Sequence, residues 1–101
     1  MIQLIASLTT NPNEPEAFQT YFSTAMELME SVGAKLVQKI DLGNAVIGEP
    51  ASEMVLLVDY PSYRAIDDVF QSDRYKSIIE VRDKAFLKYN ICLVDNNELL
   101  G

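Results

Sequence analysis

The sequence contains no histidine and a single cysteine, Cys92. An intramolecular disulfide is therefore impossible, and the Cys/His spacings of zinc sites are absent. The side chain most often used as a general base near neutral pH is missing as well. Four glycines and 4 prolines leave little material for long flexible linkers. There is no glycine-rich phosphate loop and no metal-ligand spacing, so neither a cofactor nor a metal is expected. No apolar run approaches the ~20 residues that span a bilayer. The opening segment, residues 1–8, is apolar but lacks a basic leading region and a small-residue cleavage site, and it is expected to be structural. With the lone cysteine, this makes a reducing, cytoplasmic setting the expectation.

Positive charge is also scarce. There are 8 Lys and Arg against 15 Asp and Glu, for a formal net charge of −7. Such a chain is repelled by a phosphate backbone and by an anionic membrane surface, so neither is an expected partner. What the chain does have is a hydrophobic fraction of 49% and a charged fraction of 23%, ordinary values for a globular protein. Residues 1–101 are expected to form one domain with a modest core.

Residues 1–10, MIQLIASLTT, read as a strand ended by the turn-rich NPNEP. A helix is predicted to follow, with Asn13 as cap, Glu16 three residues on and Pro15 in the first turn. Phe18, Tyr21, Phe22, Ala25, Met26, Met29 and Val32 recur along it at helical spacing. Gly33 stands where a left-handed terminator belongs. AKLVQKIDL alternates as a strand, GEPASE is a loop, and MVLLVDY is a nearly continuous apolar strand stopped by Pro61. Ser62 is predicted to cap a short helix, and Ser72 to restart one at Asp73 that continues to about Lys88. NICLVD is the last strand and NNELLG a tail.

This order is β-α-β-β-α-β, the ferredoxin-like α+β pattern: a four-stranded antiparallel sheet with helices on one face. The strands are apolar on both faces. Leu4, Ala6 and Leu8 alternate with Ile5 and Ser7; Met54, Leu56 and Val58 with Val55 and Leu57; Ile91 and Leu93 with Cys92 and Val94. Helices cover one set only. The other would expose several hundred Å² of apolar surface, a size that marks an interaction site. A second copy is the simplest cover, so a homodimer through the sheet face is predicted.

The segment YPSYRAIDDVFQSDRYKSIIEVRDKA resembles the signature of the domain of unknown function family numbered 1330. That family ends its third strand with an aromatic residue, Pro and Ser, here Tyr60, Pro61 and Ser62. A Ser-x-x-Tyr helix restart follows, here Ser72 and Tyr75, and then an Arg followed by Ala, here Arg82 and Ala85. The first helix, with Tyr21, is also similar. The resemblance implies the dimeric α/β-barrel superfamily, in which two ferredoxin-like chains form one barrel. Its members include cofactor-free monooxygenases, isomerases, haem enzymes and proteins without a known role, so the fold alone does not give a function.

Arg82 is the most conspicuous candidate residue. It is one of three arginines, and it falls near the middle of an apolar arc made by Tyr75, Ile78, Ile79, Val81, Ala85, Phe86 and Tyr89. It reads either as an anion anchor or as one half of an ion pair, with Asp59 or Glu49 the expected carboxylates and Asp67 a further candidate. Tyr21 and Tyr75 read either as ligand hydrogen-bond donors or as core residues with tied hydroxyls. Asp59, at the end of the central strand on the dimer face, reads either as a base or as a paired or solvated carboxylate. Cys92 reads as a buried hydrophobe.

Three functions fit these residues. One is a dimer binding a small anionic or polar organic molecule in a pocket lined by Tyr21, Asp59, Tyr75 and Arg82. Another is a cofactor-independent isomerase or monooxygenase-like enzyme with Asp59 or a tyrosine as base. The third is a non-catalytic dimerisation module.

Overall fold

The computed structural model describes residues 1–95. Strand β1 (Ile2–Thr10) leads to helix α1 (Pro15–Ser31), then β2 (Lys35–Asp41) and β3 (Met54–Tyr60). Helices α2 (Tyr63–Phe70), α3 (Asp73–Lys76) and α4 (Ile79–Ala85) follow, and β4 (Phe86–Leu93) closes the order. The sheet runs β2-β3-β1-β4, with every pairing antiparallel. The predicted ferredoxin-like α+β architecture is therefore the observed one. The tail, residues 96–101, lies outside the described residues.

Burial follows the alternation read from the sequence. Leu4, Ala6 and Leu8 on β1 and Leu56, Val58 and Tyr60 on β3 are buried, while Ile5, Ser7, Val55 and Leu57 between them are only half-covered. The reason is the two-residue period of a strand, which sends neighbouring side chains to opposite faces. The smallest Cα extent is 16 Å, enough for one sheet and one helical layer.

Two of the predicted caps form. The Ser62 hydroxyl accepts from the Ala65 amide at 3.1 Å, and the Ser72 hydroxyl from the Tyr75 amide at 3.0 Å. Gly33 takes the left-handed conformation, φ 77°, that ends α1. Asn13 is not the cap of α1. That position falls to Glu14, without a side-chain bond. The turn before it is held by Asn11, whose side-chain oxygen accepts from the Asn13 amide at 3.1 Å.

The long second helix is divided. It pauses at Ser77 and Ile78 and stops at Ala85, not near Lys88, and β4 begins at Phe86. Asn11 supplies the physical stop. Its backbone N–H donates to the Ala85 carbonyl at 2.9 Å and its side-chain amide to the Lys84 carbonyl at 3.3 Å, satisfying the final carbonyls of α4. Phe86 then pairs with Thr10. Lys88 pairs with Thr9, so Leu87 is an extra residue, a bulge. Phe86 and Tyr89, three residues apart, consequently both turn toward the helices.

Candidate functional site

Between α2, α4 and β4 lies an open pocket of about 720 Å³. Its floor is Leu4, Tyr89, Ile91 and Leu93; one wall is Tyr63, Ile66, Asp67 and Phe70, and the other carries Arg82 and Asp83. Tyr75 and Phe86 also line it. A smaller cavity of about 50 Å³ lies deeper, against Tyr21, Tyr60, Met26 and Val69. Leu4, Phe70, Tyr75, Tyr89 and Ile91 border both.

Each polar side chain reaches this place for a local reason. Ser72 caps α3 and so fixes Tyr75 one turn into the chain's return toward the sheet. Arg82 projects from the middle of α4, and the bulge aims Tyr89 inward from β4. Tyr21 is buried in α1 and packs edge-on against Tyr75, Phe86 and Tyr89, with ring centres 6.1, 5.4 and 5.5 Å away.

The hydroxyls form a continuous array. Arg82 Nη1 donates to the Tyr75 hydroxyl at 3.3 Å, and its guanidinium lies 6.0 Å from the Tyr75 ring centre. The Tyr75 and Tyr21 hydroxyls are 2.8 Å apart, and Tyr21 donates to Tyr89 at 2.9 Å. The bond to Tyr75 raises the Arg82 pKa above its already high value, with a smaller contribution from Asp83. Burial pushes the Tyr89 phenol up to about 12, and burial with the nearby Tyr75 does the same for Tyr60. Tyr21 is raised further, by burial first and then by Tyr89 and Tyr75.

These shifts have a consequence for stability. An unfolded tyrosine ionises near 10.0, whereas the buried phenols keep their protons to about 12 or beyond. A raised folded pKa contributes stability that is fully present below the unfolded value and lost as pH climbs toward the folded one. Unfolding free energy is therefore expected to be flat on this account up to about pH 9 and to fall above pH 10 by roughly 1.4 kcal/mol per pH unit for each such phenol. Urea unfolding at a series of alkaline pH values, with tyrosinate absorbance alongside, measures this. Titration of Tyr21, Tyr60 and Tyr89 near 10 in the folded protein would contradict it.

The structure brings together three of the four residues singled out from the sequence: Tyr21, Tyr75 and Arg82. Asp59 is elsewhere. It pairs across the sheet with Gln3 in register with Ile5 and Leu57, on the face away from the helices, and accepts from the Gln3 amide at 3.2 Å. Arg82 is accordingly bonded to neither Asp59 nor Glu49. Among the described residues its carboxylate contact is its own neighbour Asp83, 3.4 Å away and largely exposed, a weak pairing. Glu49 lies in the exposed loop between β2 and β3, and Asp59 is on the opposite side of the sheet, so neither can reach it. Cys92 is exposed, contrary to expectation, because its register with Ile5 sets it on that same open face. Residues 86–88, expected in the helix, belong to β4, and so does Tyr89, which the wheel groups with the helical arc. The β-favouring alternation of Leu87, Tyr89, Ile91 and Leu93 is the signal for a strand that the sequence carries there.

Among the described residues no group of three or more His, Cys, Asp or Glu is arranged to hold a metal ion, and no helix is long and apolar enough to cross a membrane.

Known proteins share this architecture. RPA0582 from Rhodopseudomonas palustris, a protein of unknown function, superimposes with a TM-score of 0.80 at 18% identity, over 97% of this chain and 83% of that one. At3g17210 from Arabidopsis thaliana gives 0.69 at 6% identity, over 99% of both chains. A candidate antibiotic biosynthesis monooxygenase from Nitrosomonas europaea gives 0.64 at 10% identity, over 95% of this chain and 98% of that one. At such identities the likeness is one of fold. No curated protein matches the sequence. The family described as Domain of unknown function (DUF1330) matches residues 4–97, nearly the whole chain, and the protein belongs to that family.

Proposed function

We propose that the protein binds a small, flat, largely apolar organic molecule bearing a polar oxygen, as a homodimer joined through the open faces of its sheets. The observation that carries the binding reading is the pocket beside the hydroxyl array. It has about 720 Å³ of space, within the range of small-molecule sites, with mostly apolar walls and a few convergent polar groups. The dimer reading is supported by the open face, where Ile40, Val55, Leu57 and Ile5 lie in adjacent register with none of the described helices over them. The lone exposed thiol, Cys92, suits a cytoplasmic setting.

A cofactor-independent isomerase or monooxygenase-like activity is the second reading, and the fold shared with the candidate monooxygenase speaks for it. The geometry weakens it, because Asp59, its expected base, does not face the pocket.

Filling the pocket tests the binding reading. Ile66 is half-buried on the pocket wall, and Ile66→Trp would occupy the space with an indole. Purified wild-type protein is expected to bind methyl naphthyl ketone in a fluorescence titration, and Ile66→Trp to bind it at least about tenfold more weakly while unfolding at a similar temperature. Equal affinity in the two proteins would remove the pocket as the binding site.

A further inference from the structure

The four polar groups of the array beside the pocket have a direction, and it follows from counting hydrogens. A guanidinium carries donors only, so at the Arg82–Tyr75 contact of 3.3 Å the Tyr75 oxygen accepts. Tyr21 donates to Tyr89 at 2.9 Å, and a phenol has one hydrogen. At the 2.8 Å contact Tyr21 must therefore accept, and Tyr75 donates. The Tyr89 oxygen accepts from Tyr21, and its own hydrogen has no acceptor recorded among the described residues. Tyr89 also lines the pocket, between Phe86 and Ile91.

Resting on the pocket reading above, we infer that Arg82, Tyr75, Tyr21 and Tyr89 form a one-way hydrogen-bond relay ending in the pocket, where Tyr89 donates to the carbonyl oxygen of a neutral ligand. Each link in such a chain polarises the next, and a fixed positive charge at its head makes the terminal phenol a stronger donor than an isolated one. Tyr21 and Tyr89 are protonated at neutral pH as any phenol is, and burial extends that protonation further into the alkaline range, so both stay available as donors. The relay also carries the influence of Arg82 to the floor without placing its charge there. Charge on the walls then selects the ligand class. Asp67 and Asp83 line the pocket against the single guanidinium of Arg82, so the lining carries one more negative than positive group. A carboxylate ligand would meet repulsion, whereas a ketone or aldehyde on a flat unsaturated frame would not. The rings of Phe70 and Phe86 offer faces and edges to such a frame.

Two probes of the same shape isolate the relay: methyl naphthyl ketone and ethylnaphthalene. Wild-type protein is expected to bind the ketone about tenfold more tightly than the hydrocarbon, the scale of one strengthened hydrogen bond. Tyr89→Phe should abolish this preference, bringing the ratio of the two affinities to about one. Tyr21 does not line the open pocket. Tyr21→Phe should nevertheless cut the preference to about threefold by breaking the chain behind Tyr89, whereas a purely structural role would weaken both probes equally. A preference that survives in Tyr89→Phe overturns the relay. Equal affinity of the wild type for the two probes also overturns it, and that measurement needs no variant to fold. Binding of neither probe by the wild type is a different failure: the pocket reading itself falls, and the relay's ligand with it.

Discussion

Replacing Tyr21 with alanine is expected to lower the unfolding free energy by about 3–5 kcal/mol, the loss typical of deleting a large aromatic side chain from a packed core. Tyr21 is 2% exposed and is the ring around which α1, α3 and β4 meet, with Tyr75, Phe86 and Tyr89 packed edge-on against it. The substitution would leave a cavity next to the 50 Å³ space already present and strand two hydroxyls that now bond to Tyr21. Tyr21→Phe keeps the ring and should cost only about 1–2 kcal/mol. The difference between the variants therefore measures packing apart from hydrogen bonding. Against a total stability of roughly 5–15 kcal/mol for a domain this size, the alanine variant should be visibly destabilised in urea and melt well below the wild type. An alanine variant within about 1 kcal/mol of the wild type would mean that the helical layer is held elsewhere, and the aromatic cluster would lose its place as the centre of the core.

The parts of the fold legible in the sequence are those with a local cause. Strand alternation at Leu4, Ala6 and Leu8 needs only the pleat, and the caps at Ser62 and Ser72 need only a hydroxyl three residues before a free amide. Contacts set by tertiary register were not legible. Nothing between Ala85 and Tyr89 breaks a helix by propensity, since the segment has neither glycine nor proline. The chain leaves the helix there because Asn11, more than seventy positions away in sequence, takes up the last carbonyls. The same junction carries the bulge at Leu87, and with it the inward turn of Tyr89. An apolar arc on a helical wheel thus gathered the right residues for a partly wrong reason. Tyr75 and Ala85 are buried from helices and Ile78 from the turn between α3 and α4, while Phe86 and Tyr89 face the same space from a strand.

The position of Arg82 shows a related limit. The wheel placed a charge among apolar residues and so demanded a partner. A carboxylate was the natural choice in a chain with 15 of them. The structure answers with a phenol. Tyr75 offers an oxygen at the inner end of the guanidinium, while Asp83 meets its outer side at the pocket lip. A phenol partner costs less desolvation than a carboxylate in the same place and passes polarity onward, which a carboxylate, having no hydrogen, cannot do.

The face of the sheet away from the helices carries the other large expected effect. Its central rows are Gln38, Leu57, Ile5 and Cys92, and beside them Ile40, Val55, Ser7 and Asn90. Leu57 and Ile5 sit on the two innermost strands, where a second sheet packed face to face would cover them most completely. Leu57→Asp would place a carboxylate there in each protomer. If two copies meet about a twofold axis, the substitution enters the interface twice, and each buried charge costs at least about 2 kcal/mol. Together these raise the dimer dissociation constant about a thousandfold or more. Light scattering on dilute wild-type protein should give twice the chain mass of 11.3 kDa, and Leu57→Asp should give the single-chain mass with its helical signal retained. Glu80→Ala, an exposed change on the helical side, should leave the mass doubled. A wild type that is folded and monomeric at micromolar concentration would leave Ile5, Val55 and Leu57 facing water, and the open face would need a different partner. The chain's net charge of −7 adds a further condition. Two such chains repel each other, so dissociation of the wild-type dimer should be easier at low ionic strength and harder as salt screens the charge. A contact held mainly by cross-protomer ion pairs would respond to salt in the opposite direction, so the sign of that dependence separates an apolar interface from a charged one.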